Sequence, residues 1–216
     1  VKLTSFNGPF LGAPCWSPDG QRLAFTSIAE NQFKVFVISA SGGKPRRLTT
    51  DPAGEEPSSW SRDGRWIYVG SNRGGDYQVW KMPTQGGRAV QVTRKGGFRA
   101  LESPDGKVLY YAKSGGPTTS LWKVPVEGGE ENQVLASLSD DSTFAVVDEG
   151  IYFIPTPDPT AGYSIQFFSF ATRKMTLITK IGRPFLGLSV SPDRKWILYS
   201  QLDERSSDLM LVENFR

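Results

Sequence analysis

The 216-residue chain contains no histidine and a single cysteine, Cys15. The first absence removes Ser-His-Asp and Cys-His catalysis together with histidine-based zinc or iron sites. The second rules out an internal disulfide and leaves the redox compartment open. Any chemistry would have to rest on carboxylates, lysine, tyrosine or a Ser-Lys pair. Long apolar runs are also missing. None approaches the roughly 18 residues that cross a bilayer, and no basic stretch leads into an apolar one, so neither a secretory leader nor a membrane span is expected in these residues. Charge gives little direction: 25 Lys+Arg against 22 Asp+Glu leave a net +3. The charges are scattered rather than blocked, which argues against a nucleic-acid partner.

What the chain has in quantity is glycine (23) and proline (15), falling at regular intervals between short β-rich runs. Trp16-Ser17-Pro18-Asp19-Gly20 precedes Leu23-Ala24-Phe25, and Trp60-Ser61-Arg62-Asp63-Gly64 precedes Ile67-Tyr68-Val69. Ser103-Pro104-Asp105-Gly106 and Ser191-Pro192-Asp193-Arg194 stand before Leu109-Tyr110-Tyr111 and Ile197-Leu198-Tyr199. A degraded copy, Val147-Asp148-Glu149-Gly150, stands before Ile151-Tyr152-Phe153. The aligned positions Leu23, Ile67, Leu109, Ile151 and Ile197 are 44, 42, 42 and 46 residues apart. Within each unit a first strand runs into the Pro-Asp-Gly turn, a second follows, and a variable loop leads to a third. A Gly-Gly turn (Gly42-Gly43, Gly86-Gly87, Gly128-Gly129) then opens a short fourth. Four antiparallel strands in about 40–45 residues is the pattern of a propeller blade. Runs such as Val35-Phe36-Val37-Ile38 are apolar on both faces, as a sheet stacked between two others requires.

The expectation is therefore an all-β, five-bladed β-propeller with four antiparallel strands per blade, in a single domain. Its blades span about 11–49, 56–93, 97–136, 141–179 and 184–213. Val1-Lys2-Leu3-Thr4 matches Arg46-Arg47-Leu48-Thr49, so residues 1–4 are expected to supply the missing fourth strand of the last blade, pairing with residues 208–213 and removing an open edge; the alternative is a piece of a larger propeller, divided at a repeat boundary.

Trp-Ser-Pro-Asp-Gly, Ser-Asn-Arg-Gly-Gly, Val-Trp, Gly-Gly and Leu-Thr, recurring in register, resemble the PD40, or TolB-like, propeller repeat over essentially the whole chain. Residues 60–93 are the closest copy, and the fourth unit departs most. The ending at 207–215 is similar to the C-terminus of bacterial regulators that join a winged-helix domain to such propellers. The resemblance implies a bacterial protein, periplasmic rather than cytoplasmic. Its relatives include a scaffold of the Tol–Pal system, sensory parts of membrane regulators and gating propellers of prolyl-oligopeptidase-like enzymes. Fold follows from this more firmly than function.

Function is sought in the loops, because the strands are committed to packing. The fourth-to-first and second-to-third loops share one face by topology. They bring exposed aromatics (Phe6, Phe10, Phe98, Phe185) together with Arg94, Lys95, Arg99 and Arg183, an acidic sector at Asp51, Glu55 and Glu56, and the glycine-rich loop holding Arg73 and Asp76. Aromatic and arginine residues are favoured anchors of protein interfaces. The candidate binding residues are Phe10, Glu55, Arg73, Asp76, Phe98, Arg99, Glu102, Arg183 and Phe185. The expected role is a non-catalytic module that binds, scaffolds or senses a protein or peptide at this channel mouth, with no cofactor and no metal. One alternative is a glycoside hydrolase working with two carboxylates about 5–9.5 Å apart, for which Glu102 stands out because it occupies the tryptophan position of a first strand. Another is an accessory propeller of a larger peptidase. The aspartates of the turns offer one carboxylate each, too few for calcium, and the six tryptophans are expected to pack between blades.

Overall fold

In four of the five repeats the tight turn is held by one serine and one aspartate. The Ser17 hydroxyl donates to Asp19 Oδ1 (2.5 Å) and accepts the Arg22 amide (2.9 Å), while Asp19 Oδ1 also takes the Gln21 amide (3.0 Å). The same three bonds recur at Ser61/Asp63, Ser103/Asp105 and Ser191/Asp193. Gly20, Gly64 and Gly106 take the left-handed position that closes the turn, with φ of 66°, 68° and 68°; in the last copy Arg194 adopts it with φ of 58°. The aspartates are thus turn residues. Burial pushes the Asp63 carboxyl up, but bonds from the Ser61 hydroxyl, the Arg65 amide and the Arg65 guanidinium outweigh it and hold the group down to about 2. A carboxyl depressed in the fold contributes stability above its unfolded value of about 3.9, lost as pH falls through the folded value. The gap in urea midpoint between the wild type and Asp63→Asn is therefore expected to close between about pH 4 and pH 2. A gap independent of pH would show that the carboxylate is not what holds the turn.

The computed structural model describes residues 3, 10–29, 31–114, 118–203 and 206–213. All regular structure among them is β. The first sheet comprises β1 (Leu11–Trp16), β2 (Arg22–Ala29), β3 (Gln32–Ser39) and β4 (Arg46–Arg47). The second comprises β5 (Glu55–Trp60), β6 (Trp66–Ser71), β7 (Gln78–Pro83) and β8 (Val90–Gln91). The third holds β9 (Ala100–Glu102), β10 (Val108–Ser114), β11 (Thr119–Pro125) and β12 (Asn132–Leu138), and the fourth β13 (Phe144–Val147), β14 (Gly150–Phe153), β15 (Tyr163–Ser169) and β16 (Met175–Ile181). The fifth contains β17 (Pro184–Val190), β18 (Trp196–Asp203) and β19 (Ser206–Glu213). The strands of every sheet follow one another in chain order, each pair given a register being antiparallel, and among the described residues no helix is long and apolar enough to cross a membrane.

The fourth strands β4 and β8 are shorter than the sequence suggests: the Leu48 and Val92 amides still bond the Val35 and Val79 carbonyls (2.8 and 2.9 Å), but a threonine hydroxyl takes the return bond. Thr49 Oγ1 accepts the Val35 amide (3.0 Å) and Thr93 Oγ1 the Val79 amide (2.8 Å). The fifth sheet has three strands among the described residues. The expected pairing of residues 1–4 with 208–213 lies outside them, since only Leu3 of that segment is described.

The chain divides into two compact units, Val1–Tyr111 with Lys123–Asn132, and Ala112–Trp122 with Gln133–Arg216. In the first, Ala24, Val35, Val37 and Leu48 pack on Trp60, Ile67, Val69 and Met82. Trp60 is the wedge of this contact: its indole donates to the Cys15 carbonyl (3.0 Å) and Arg22 lies over its ring at 4.8 Å. In the second unit, Tyr152, Ile154 and Ile165 meet Leu188, Ile197 and Tyr199. The expectation that all the tryptophans pack between blades is corrected here. Trp60 is 5% exposed, but Trp16, at the same repeat position, is 57% exposed and makes no hydrogen bond of the Trp60 kind among the described residues. Trp66, Trp80 and Trp122 are half-buried and carry cations, with Lys81, Arg73 and Lys113 over their rings, and Trp80 also packs against the core of the first two sheets.

Candidate functional site

The loop end of the first unit is built by polar residues at the start of the third strands. Lys34, almost fully buried, reaches from β3 to the carbonyls of Asp51 and Ala53 (2.5 Å to the latter). Gln78 holds the same place on β7, where its Oε1 accepts the Thr93 hydroxyl and the Gly96 amide (3.0 Å each). Each residue staples the fourth-to-first loop of its own sheet to the third strand. Sequence reading missed both, although a polar residue recurring at one repeat position inside an apolar strand is a legible signal.

On this end Phe10 is 45% exposed and meets Phe33 edge-on at 5.5 Å, its carbonyl accepting the Ser27 hydroxyl (3.0 Å). Tyr77, 47% exposed and also missed, meets half-buried Phe98 edge-on at 6.3 Å. Gly54 lies between the groups, where a Cβ would be 3.6 Å from Gln32 and 3.8 Å from the Tyr77 hydroxyl. Asp76 and Glu56 are exposed.

Glu55 is not part of an open acidic sector. It is 1% exposed and ion-paired with Arg73. Arg73 in turn bonds the Ser71 hydroxyl (3.2 Å) and lies over Trp80. Burial draws the Arg73 guanidinium down against the pull of Asp51. A buried carboxylate neutralised this way braces the loops.

Glu102 is at the other end of the sheets, which corrects its placement at the channel mouth. It pairs with Leu109 as Trp60 pairs with Ile67. Its Oε1 accepts the Tyr68 hydroxyl (2.5 Å) and its Oε2 the Arg62 amide (2.7 Å). Burial and then the Glu102 carboxylate push the Tyr68 hydroxyl up. Glu55 begins β5 while Glu102 reaches past its end to Arg62, so at ~3.3 Å per residue the two carboxylates are on the order of 20 Å apart along the strand. A hydrolytic pair needs about 5–9.5 Å, and these two do not form one. Glu131 plays the same structural part as Glu102, taking the Tyr111 hydroxyl (2.6 Å) and the Arg94 amide (2.8 Å).

Arg183 and Phe185 belong to the second unit. Arg183 is exposed and its carbonyl accepts the Leu202 amide (2.8 Å); Phe185, on β17, is exposed beside Leu186. Phe6 lies outside the described residues. An apolar cavity of ≈ 180 Å³ is lined by Leu3, Leu11, Gly12, Pro14, Leu23, Phe25 and Ile38, with no polar side chain to orient a ligand. No group of three His, Cys, Asp or Glu side chains among the described residues could hold a metal ion.

The family model of PD40, the TolB beta propeller domain, matches residues 2–158. An uncharacterized protein of Agrobacterium fabrum is 32% identical over 78 residues, which is 36% of this chain and 27% of that protein. Among solved structures, TolB from Acinetobacter baumannii superimposes with a TM-score of 0.83 at 17% identity, covering 99% of this chain and 54% of the other. A puromycin-hydrolyzing peptidase of Mycobacterium tuberculosis superimposes with a TM-score of 0.65 at 16% identity, over 93% of this chain and 35% of its own. At these identities the structures share the fold.

Proposed function

The chain belongs to the TolB β-propeller domain family, and from that premise we propose that it is a non-catalytic module that docks a protein or peptide on the loop end of its first sheets. The same reading takes the five sheets as five blades. The observation that carries it is the pair of exposed aromatic contacts, Phe10–Phe33 and Tyr77–Phe98, set on loops stapled by Lys34, Gln78 and the Glu55–Arg73 pair. Aromatics presented on a rigid base supply contact area at low entropic cost, the quality that separates interface anchors from ordinary surface residues. A second reading, an accessory propeller beside a peptidase domain, draws on the fold shared with the puromycin-hydrolyzing peptidase.

The test is selection of random twelve-residue peptides on the immobilised chain, followed by titration against a Phe10→Ser/Tyr77→Ser variant. Selected peptides are expected to bind the variant at least tenfold more weakly, with its urea midpoint held close to wild type. Equal binding to both proteins, or no enrichment over a blank surface, would overturn the reading.

A further inference from the structure

Arg99 stands out on the wall formed by the first strands of this unit, where β1 lies beside β5 and β5 beside β9. Its backbone is clamped on both sides. The Phe98 carbonyl accepts the Ser58 hydroxyl (2.9 Å) and the Ala100 carbonyl the Ser59 hydroxyl (2.7 Å). Gly97, at φ 128°, lies so close to the Tyr111 ring that a Cβ would come within 2.5 Å of it, and a Cβ on Gly70 would press on Phe98 at 3.0 Å.

The side chain is half-buried and makes no hydrogen bond or ion pair among the described residues. Its charge is felt at the Cys15 thiol on β1, on the far side of β5. That thiol supplies no counterion: burial pushes it up to about 12 against the pull of Arg99 and the Trp60 indole, so it stays neutral. On the same loop, Arg94 and Lys95 are exposed cations. The carboxylate that reaches this loop, Glu131, is spent on the Arg94 amide and the Tyr111 hydroxyl. A half-buried guanidinium with five donors and no acceptor is costly to keep, and a rigid mount gives it a fixed aim.

We propose that Arg99 is an anion-receiving residue that takes a carboxylate of the docked polypeptide. This rests on the docking reading above and adds the chemistry of the partner at one position. Because Cys15 is the only thiol, its alkylation reports on the site without reference to any partner. The ratio of its rates with anionic iodoacetate and neutral iodoacetamide, at pH 9, is expected to fall severalfold in Arg99→Gln and to recover in Arg99→Lys. An unchanged ratio would overturn the proposal.

Three peptide probes then separate the sources of the carboxylate: Ac-Phe-Ala-Asp-Ala-amide, Ac-Phe-Ala-Ala with a free C-terminus, and the neutral Ac-Phe-Ala-Asn-Ala-amide. At least one of the first two is expected to bind wild type roughly tenfold more tightly than Arg99→Gln, the scale of one charged hydrogen-bonded contact, with the neutral peptide unaffected. Whichever responds identifies a side-chain or a terminal carboxylate. Binding that falls in Phe10→Ser/Tyr77→Ser yet is equal in Arg99→Gln overturns the carboxylate contact and leaves docking intact. Loss of the docking result with the alkylation ratio still dependent on Arg99 overturns the polypeptide and keeps the anion site.

Discussion

Glu102→Ala is expected to cost the fold about 3 kcal/mol, among the largest losses available from one side chain. The carboxylate is 6% exposed and joins two neighbouring sheets by accepting the Tyr68 hydroxyl and the Arg62 amide. Alanine removes both acceptors at once and leaves a buried phenol and a turn amide without partners, each carrying a desolvation penalty of roughly 1–3 kcal/mol. Glu102→Gln keeps the shape and one carbonyl oxygen, so about 1 kcal/mol is expected, and Tyr68→Phe should fall between the two. Urea denaturation of the three variants decides this. If Glu102→Ala unfolds within about 0.5 kcal/mol of wild type, the residue is not the interblade staple described above. Such an outcome would also reopen a chemical role for this carboxylate.

The second large effect concerns Gly150. It stands at the start of β14, where β15 passes so closely that an added Cβ would collide with the Phe168 carbonyl oxygen and lie 2.6 Å from the Phe167 ring. Its φ is not among the positive ones, so the requirement for glycine here is space rather than conformation. Backbone oxygen cannot swing aside as a side chain end can. Gly150→Ala must therefore separate β14 from β15 in the sheet that carries Tyr152, Ile154 and Ile165 into the core of the second unit. A loss of about 3 kcal/mol is expected. Gly74, exposed and with nothing within 4 Å of an added Cβ, is the control, where alanine should change the midpoint little. A wild-type-like midpoint for Gly150→Ala would show that the sheet has slack the structure does not display.

The sheets were legible in the sequence because each repeat writes its turns in residues with one job. Ser61, Asp63 and Gly64 satisfy one another locally, so their spacing can be read without knowing what packs around them. β6 and β7 fall where the pattern places them, Trp66–Ser71 and Gln78–Pro83. Of the fourth strands only β4 and β8 are shorter than expected, because Thr49 and Thr93 look like strand residues while their side chains end the ladder; β12 and β16 run the full seven residues. The candidate site was read less well, for a different reason. Whether Glu55 is an open acid or half of a buried pair depends on Arg73, 18 residues away across a hairpin. Glu102 announced itself correctly by replacing a tryptophan, but its partners, Tyr68 and Arg62, belong to the preceding repeat. Register within a repeat is a sequence property; contact between repeats is not. For the same reason the burial of Trp60 and the exposure of Trp16 could not have been told apart by position alone.

The strictly sequential order of strands in every sheet has a consequence for how the chain is made. Among the described residues no strand waits for a distant segment inside its sheet, so the entropy of each closure there is that of a short local loop. A chain leaving the ribosome can therefore complete one sheet while the next is still being translated, and the apolar face of the first sheet is exposed only until the second, on which it packs, arrives. Synthesis in this order lets the first unit assemble by accretion, with its first sheet serving as the surface on which the second condenses.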